Sequence, residues 1–209
     1  MNALELLKQS PVMPVIVIKN LDIAVGLARA LVAGGVRSLE ITLRSNVALE
    51  AIRLIADAVP DAVVGVGTIR DAKQFEAAVR AGAKFAVSPG LTPGIACAAQ
   101  EAGIPFLPGV ATASESMAAA DYGFTVQKLF PAQAVDGIAL LKALYGPLPD
   151  IRFCPTGGIN AQNAREYLAL PNVECVGGSW LTPESAVVKQ DWDAITKLAK
   201  KACLLGQRR

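Results

Sequence analysis

The chain repeats one pattern eight times: a short apolar run bounded by Gly, Pro or Asp, then a longer Ala/Leu-rich stretch with helical spacing. The apolar runs cover 12–19, 38–44, 62–68, 85–90, 105–110, 125–130, 152–158 and 173–180. Helical stretches follow at 21–33, 48–57, 72–81, 93–101, 113–120, 137–144 and 161–168, and a last one covers 192–204. Gly34-Gly35 and Gly82 stand where glycine ends a helix. Strands alternating with helices bury both faces of a parallel sheet. Dividing 209 residues among the units leaves about 26 each, the small end of the range for a closed (β/α)8 barrel. An open doubly wound sheet is the alternative, but no GxGxxG follows the first strand. The expectation is one domain over residues 1–209, an α/β TIM barrel with a short N-terminal helix before its first strand.

Composition narrows the chemistry. The sequence is 53% hydrophobic and 18% charged, so it is no disordered polyelectrolyte. Twenty basic and 18 acidic side chains leave a net charge of +2, too little to argue for nucleic acid or an anionic membrane. Histidine is absent, which excludes a Ser-His-Asp triad and any His-containing zinc site. The cysteines at 97, 154, 175 and 203 form no CxxC and read as reduced thiols of a cytoplasmic protein. Charge near the N-terminus, where a signal peptide would be apolar, agrees with that location.

Barrel enzymes place their chemistry at the C-terminal ends of the strands. Along the second strand, alternation puts Leu39, Ile41 and Leu43 against the helices and Glu40, Thr42 and Arg44 inside. Glu40 and Arg44 read either as a structural ion pair or as a general acid/base with a carboxylate clamp. On the sixth strand, Val126, Lys128 and Phe130 share a face. Apolar surroundings favour a neutral amine, the form that attacks a carbonyl to give a Schiff base. Lys19, at the end of the first strand, is the rival lysine.

Strands seven and eight end in Thr156-Gly157-Gly158 and Gly177-Gly178-Ser179. These pairs are either tight turns or the phosphate cradle that such barrels build there, with a following helix N-terminus supplying N–H groups. Thr156 and Ser179 would add hydroxyls. Thr68, at the end of strand three, reads as a ligand donor or a helix N-cap. Pro89, ending strand four, shapes the loop over the mouth.

These stretches, in this order, closely resemble the bacterial 2-keto-3-deoxy-6-phosphogluconate (KDPG) and 2-keto-4-hydroxyglutarate (KHG) aldolases. The likeness rests on Pro14-Val15-Ile16-Val17, Leu31-Val32-Ala33-Gly34-Gly35-Val36-Arg37, Glu40-Ile41-Thr42-Leu43-Arg44 and Gly65-Val66-Gly67-Thr68. Ser88-Pro89-Gly90-Leu91-Thr92, Lys128-Leu129-Phe130-Pro131-Ala132, Arg152-Phe153-Cys154-Pro155-Thr156-Gly157-Gly158-Ile159 and Gly177-Gly178-Ser179-Trp180-Leu181 complete it. The resemblance implies that Lys128 forms the Schiff base and Glu40 transfers protons. It further implies that Arg44 and Thr68 hold the pyruvyl carboxylate, that Thr156, Gly157, Gly158 and Ser179 receive the phosphate, and that Phe130 and Pro89 line the pocket. It implies a homotrimer acting on a phosphorylated 2-keto acid with no metal or organic cofactor. Gln133 departs from the family, many of whose members carry Glu after Phe-Pro-Ala. The alternatives are an aldolase for the galactonate epimer, a metal-dependent aldolase, and a non-catalytic sugar-phosphate-binding barrel.

Overall fold

The computed structural model describes residues 1–206. Helix α1 (Ala3–Leu7) opens the chain, closed by a capping box in which Asn2 and Glu5 satisfy each other's backbone N–H groups. Nine short strands follow: β1 (Val12–Ile16), β2 (Ser38–Thr42), β3 (Val63–Gly67), β4 (Ala86–Val87), β5 (Phe106–Leu107), β6 (Gly109–Val110), β7 (Val126–Leu129), β8 (Arg152–Phe153) and β9 (Val176–Gly178). Between them run α2 (Ala24–Ala33), α3 (Ala48–Ala58), α4 (Ala72–Arg80), α5 (Pro93–Ala102), α6 (Ala113–Asp121), α7 (Gly137–Tyr145) and α8 (Ala164–Leu168), and α9 (Glu184–Val188) and α10 (Trp192–Cys203) follow the last strand. Side chains from the preceding loops cap several of them. Asp71 accepts from Gln74 N, Thr92 from Ile95 N, Thr112 from Glu115 N and Asp191 from Ala194 N.

All strand pairs are parallel. They form a curled six-stranded sheet, β5-β4-β3-β2-β1-β9, and a three-stranded sheet, β6-β7-β8. The expected fifth strand is one run of chain interrupted at Pro108, which has no N–H to give the ladder. Its carbonyl still accepts from Lys128 N. Isolated bridges, Phe153 to Val173 and Thr156 to Gly177, link the two sheets on the other side. The ladder is thus not one unbroken eight-stranded sheet.

Two apolar clusters hold the fold. One lies between sheet and helices and contains Leu39 and Ile41, the outward residues of β2. The other fills the interior with Met13, Phe85, Val87, Leu107, Val126, Cys154 and Cys175. Leu6 and Leu7 of α1 belong to this inner cluster and are fully buried, so α1 stoppers the end of the sheet opposite the strand C-termini. Cys154 and Cys175 are buried free thiols that fill this interior, and burial, then the neighbouring Cys154 thiol, push the Cys175 thiol well above its ordinary value. No helix among the described residues is long and apolar enough to cross a membrane.

Candidate active site

The strand C-termini surround a cavity of about 270 Å³. All ten residues singled out from the sequence line it: Glu40, Arg44, Thr68, Pro89, Lys128, Phe130, Thr156, Gly157, Gly158 and Ser179. Val15, Ile159 and Gly178 line it as well. The sequence reading had Gly178 in its second glycine pair, whereas the apolar character of Val15 and Ile159 gave it nothing to separate them from core residues. A larger depression of about 710 Å³ lies at the far end beside α1 and β8. It lacks the buried amine and carboxylate pair, so volume alone does not locate the chemistry.

Lys128 and Glu40 reach the interior from different strands, β7 and β2. Lys128 Nζ stands 3.6 Å from Glu40 Oε1. Lys128 is only 6% exposed and Glu40 only 2%. Each ion loses water on burial, and their mutual attraction offsets part of that cost. The Phe130 ring adds a cation–π contact, with Nζ 5.0 Å from its centroid. Glu40 Oε1 is buried and accepts no hydrogen bond from the described residues.

The geometry separates the alternatives left open by the sequence. Glu40 pairs with Lys128 rather than Arg44, so the intrastrand ion pair is set aside. Arg44 instead donates from Nε to Thr42 Oγ1 at 3.2 Å. Lys19 is 73% exposed, pairs with Glu184 on the surface at 2.7 Å, and does not line the cavity. Thr68 is no helix cap, because Asp71 caps α4. Its φ of +64° is rare for a β-branched residue and marks a locally strained strand end in the cavity wall.

Gly157 and Gly158 both adopt positive φ, +101° and +78°. Among the described residues their N–H groups donate to no backbone carbonyl. The helices beyond the two glycine loops begin only at Ala164 and Glu184. An anion here would meet loop amides and hydroxyls, not the helix N-terminus anticipated from the sequence. Gln133 packs directly against Gly158, where a β-carbon would collide with its side chain. The residue that departs from the family pattern is therefore a wall of this loop. Among the described residues no three His, Cys, Asp or Glu side chains gather as metal ligands would.

A buried lysine facing a buried carboxylate at the strand ends of a βα fold, beside an arginine, is the arrangement of a lysine-dependent carbon–carbon lyase. The comparisons agree. The KDPG and KHG aldolase family model matches residues 4–198. A 2-dehydro-3-deoxy-phosphogluconate aldolase of Pseudoalteromonas atlantica is 52% identical, covering 95% of this chain and 92% of its own. The KHG/KDPG aldolase of Escherichia coli is also 52% identical, covering 96% of this chain and 94% of its own. A crystal structure of the Legionella pneumophila KDPG aldolase holds pyruvate as a covalent carbinolamine captured at low pH. It superimposes with a TM-score of 0.95 at 48% identity, over 97% of this chain and 98% of that one. The chain belongs to the KDPG and KHG aldolase family.

Proposed function

We propose that the protein is a class I aldolase that reversibly cleaves 2-keto-3-deoxy-6-phosphogluconate to pyruvate and D-glyceraldehyde 3-phosphate. The observation that carries this reading is the Lys128–Glu40 pair, buried at 3.6 Å in a cavity that also contains Arg44. Lys128 attacks the C2 ketone, and loss of water from the carbinolamine gives an iminium. With the iminium as electron sink, Glu40, through a water, removes the C4 hydroxyl proton and the C3–C4 bond breaks. Glyceraldehyde 3-phosphate departs and the enamine of pyruvate stays on Lys128. Glu40 returns a proton to the methylene carbon, and hydrolysis releases pyruvate and the free amine.

Arg44 and Thr68 hold the pyruvyl carboxylate, which fixes the iminium for cleavage. Thr156, Gly157, Gly158 and Ser179 receive the phosphate, while Phe130 and Pro89 wall the pocket. The same donor half accommodates 2-keto-4-hydroxyglutarate, with glyoxylate as the released aldehyde. The E. coli relative, whose name carries both substrates, supports this second activity.

The finer architectural reading is one closed (β/α)8 barrel and one domain across 1–209. The bridges between the two sheets and the single-residue break at Pro108 support it. The family resemblance supports a homotrimer in the cytoplasm. A solution mass near three times the 21.7 kDa of the chain tests the assembly.

Borohydride trapping with pyruvate, followed by peptide mass mapping, tests the chemistry. A reduced adduct on Lys128, lost in Lys128→Ala with the circular dichroism retained, is expected. Pyruvate bound without an adduct would leave a sugar-phosphate-binding barrel, and an adduct on Lys19 would move the active strand. Full activity in EDTA is the matching expectation against a metal-dependent aldolase.

A further inference from the structure

Arg44 is an exposed side chain, yet its guanidinium is tied to a residue with no exposure at all. Thr42, the inward neighbour between Glu40 and Arg44, is 0% exposed. Its hydroxyl donates to Ile16 O of β1 at 2.8 Å and accepts the Nε–H of Arg44 at 3.2 Å. A hydroxyl has one proton and two acceptor lone pairs. Donation to Ile16 O therefore settles where the proton points and turns a lone pair toward Arg44. The strand around it is held on the other side too: Thr42 pairs with Gly67, and Leu43 N donates to Gly67 O at 2.9 Å.

We infer that Thr42 is a positioning residue for carboxylate recognition. It occupies Nε, so Arg44 offers the cavity only its two Nη groups, the edge that matches a planar carboxylate with two parallel hydrogen bonds. A long exposed arginine would otherwise sample many rotamers, and part of the binding free energy would go into ordering it. The effect is on binding rather than on bond cleavage, because Thr42 does not line the cavity and acts only through Arg44. This inference rests on the reading of Arg44 as the carboxylate clamp.

The test compares Thr42→Val, Thr42→Ser, Arg44→Ala and the Thr42→Val/Arg44→Ala double variant. The readout is the pyruvate concentration that half-saturates borohydride trapping on Lys128. Trapping of acetone, which has no carboxylate, serves as the control. Thr42→Val is expected to raise the pyruvate concentration about tenfold, the scale of one charge-assisted hydrogen bond, and to change kcat less than about threefold. Thr42→Ser should lie within about twofold of the parent, acetone trapping should be unchanged, and the double variant should be no weaker than Arg44→Ala. If Thr42→Val matches the parent while Arg44→Ala is weakened, the positioning role is overturned and the clamp survives. If Arg44→Ala itself binds pyruvate normally, both fall. Equal losses for pyruvate and acetone in Thr42→Val would show a general distortion of the site and overturn the inference.

Discussion

Gly67 lies against the carboxylate of Glu40, and a β-carbon at this position would occupy the space that Glu40 Oε1 fills. The two residues sit on adjoining strands, Gly67 at the end of β3 and Glu40 in β2. The need for glycine here comes from a side chain, since Gly67 is not among the positive-φ residues.

Gly67→Ala therefore displaces the Glu40 side chain, whose Cγ, Cδ and Oε1 all crowd the added carbon, toward the cavity it lines. Overpacking of this kind costs about 1–3 kcal/mol of stability. A shift of the acid by about 1 Å is expected to lower kcat by roughly tenfold to a hundredfold. Steady-state rates and thermal melts check both. Parental kcat would mean that the carboxylate finds its place by another route.

Glu40→Gln removes the proposed proton carrier but leaves the amine. Borohydride adducts with pyruvate should still form on Lys128, while cleavage slows by about 10²–10⁴-fold. Single-turnover kinetics on the phosphorylated substrate give the comparison. A parental kcat would take Glu40 out of the proton transfers.

Ser179→Ala probes the proposed phosphate loop alone. KM for 2-keto-3-deoxy-6-phosphogluconate should rise about tenfold, the effect of one hydrogen bond to a charged group. KM for 2-keto-4-hydroxyglutarate, which lacks the phosphate, should change less than about twofold. Equal effects on the two substrates would remove Ser179 from phosphate recognition.

The Cys175 thiol makes stability fall at alkaline pH. Burial first, and the Cys154 thiol beside it, hold Cys175 well above its ordinary value of 9.0. In the unfolded chain this thiol loses its proton from about pH 9, whereas the folded protein keeps it. The folded state then binds more protons, so this contribution is complete below pH 9 and declines as pH rises further, by up to about 1.4 kcal/mol per pH unit. Melting temperatures between pH 8 and 10 should drop more steeply for the parent than for Cys175→Ala. Parallel slopes would show that Cys175 does not set this dependence.

The site was more legible in the sequence than the strand boundaries were. Alternation alone placed Glu40, Thr42 and Arg44 on one face of β2 and Lys128 with Phe130 on one face around β7, because side-chain direction in a strand follows from period two. Boundaries depended on ladder hydrogen bonds that sequence does not display. The run 85–90 keeps only Ala86–Val87 as paired strand, and 173–180 keeps only Val176–Gly178. The run 105–110 divides at Pro108 for want of a donor. Residues 21–23 form a 3-10 turn before α2, and α8 starts later than expected, after a turn in which Asn160 and Asn163 side chains bind backbone N–H groups. Helix α9 was not anticipated, as five residues carry no readable period. Thr42's tie to Arg44 joins residues two apart but depends on Ile16 of another strand, which no local pattern reveals.

Helix α1, with Leu6 and Leu7 driven into the interior, closes the end of the sheet away from the cavity, so reactants pass on the side of the strand C-termini. Traffic there has an order. In the proposed reaction the aldehyde fragment, held by non-covalent contacts alone, leaves first, while pyruvate stays on Lys128. An aldehyde that returns before the enamine is protonated finds a nucleophile waiting, so synthesis and cleavage share one passage and the direction of flux follows the concentrations outside.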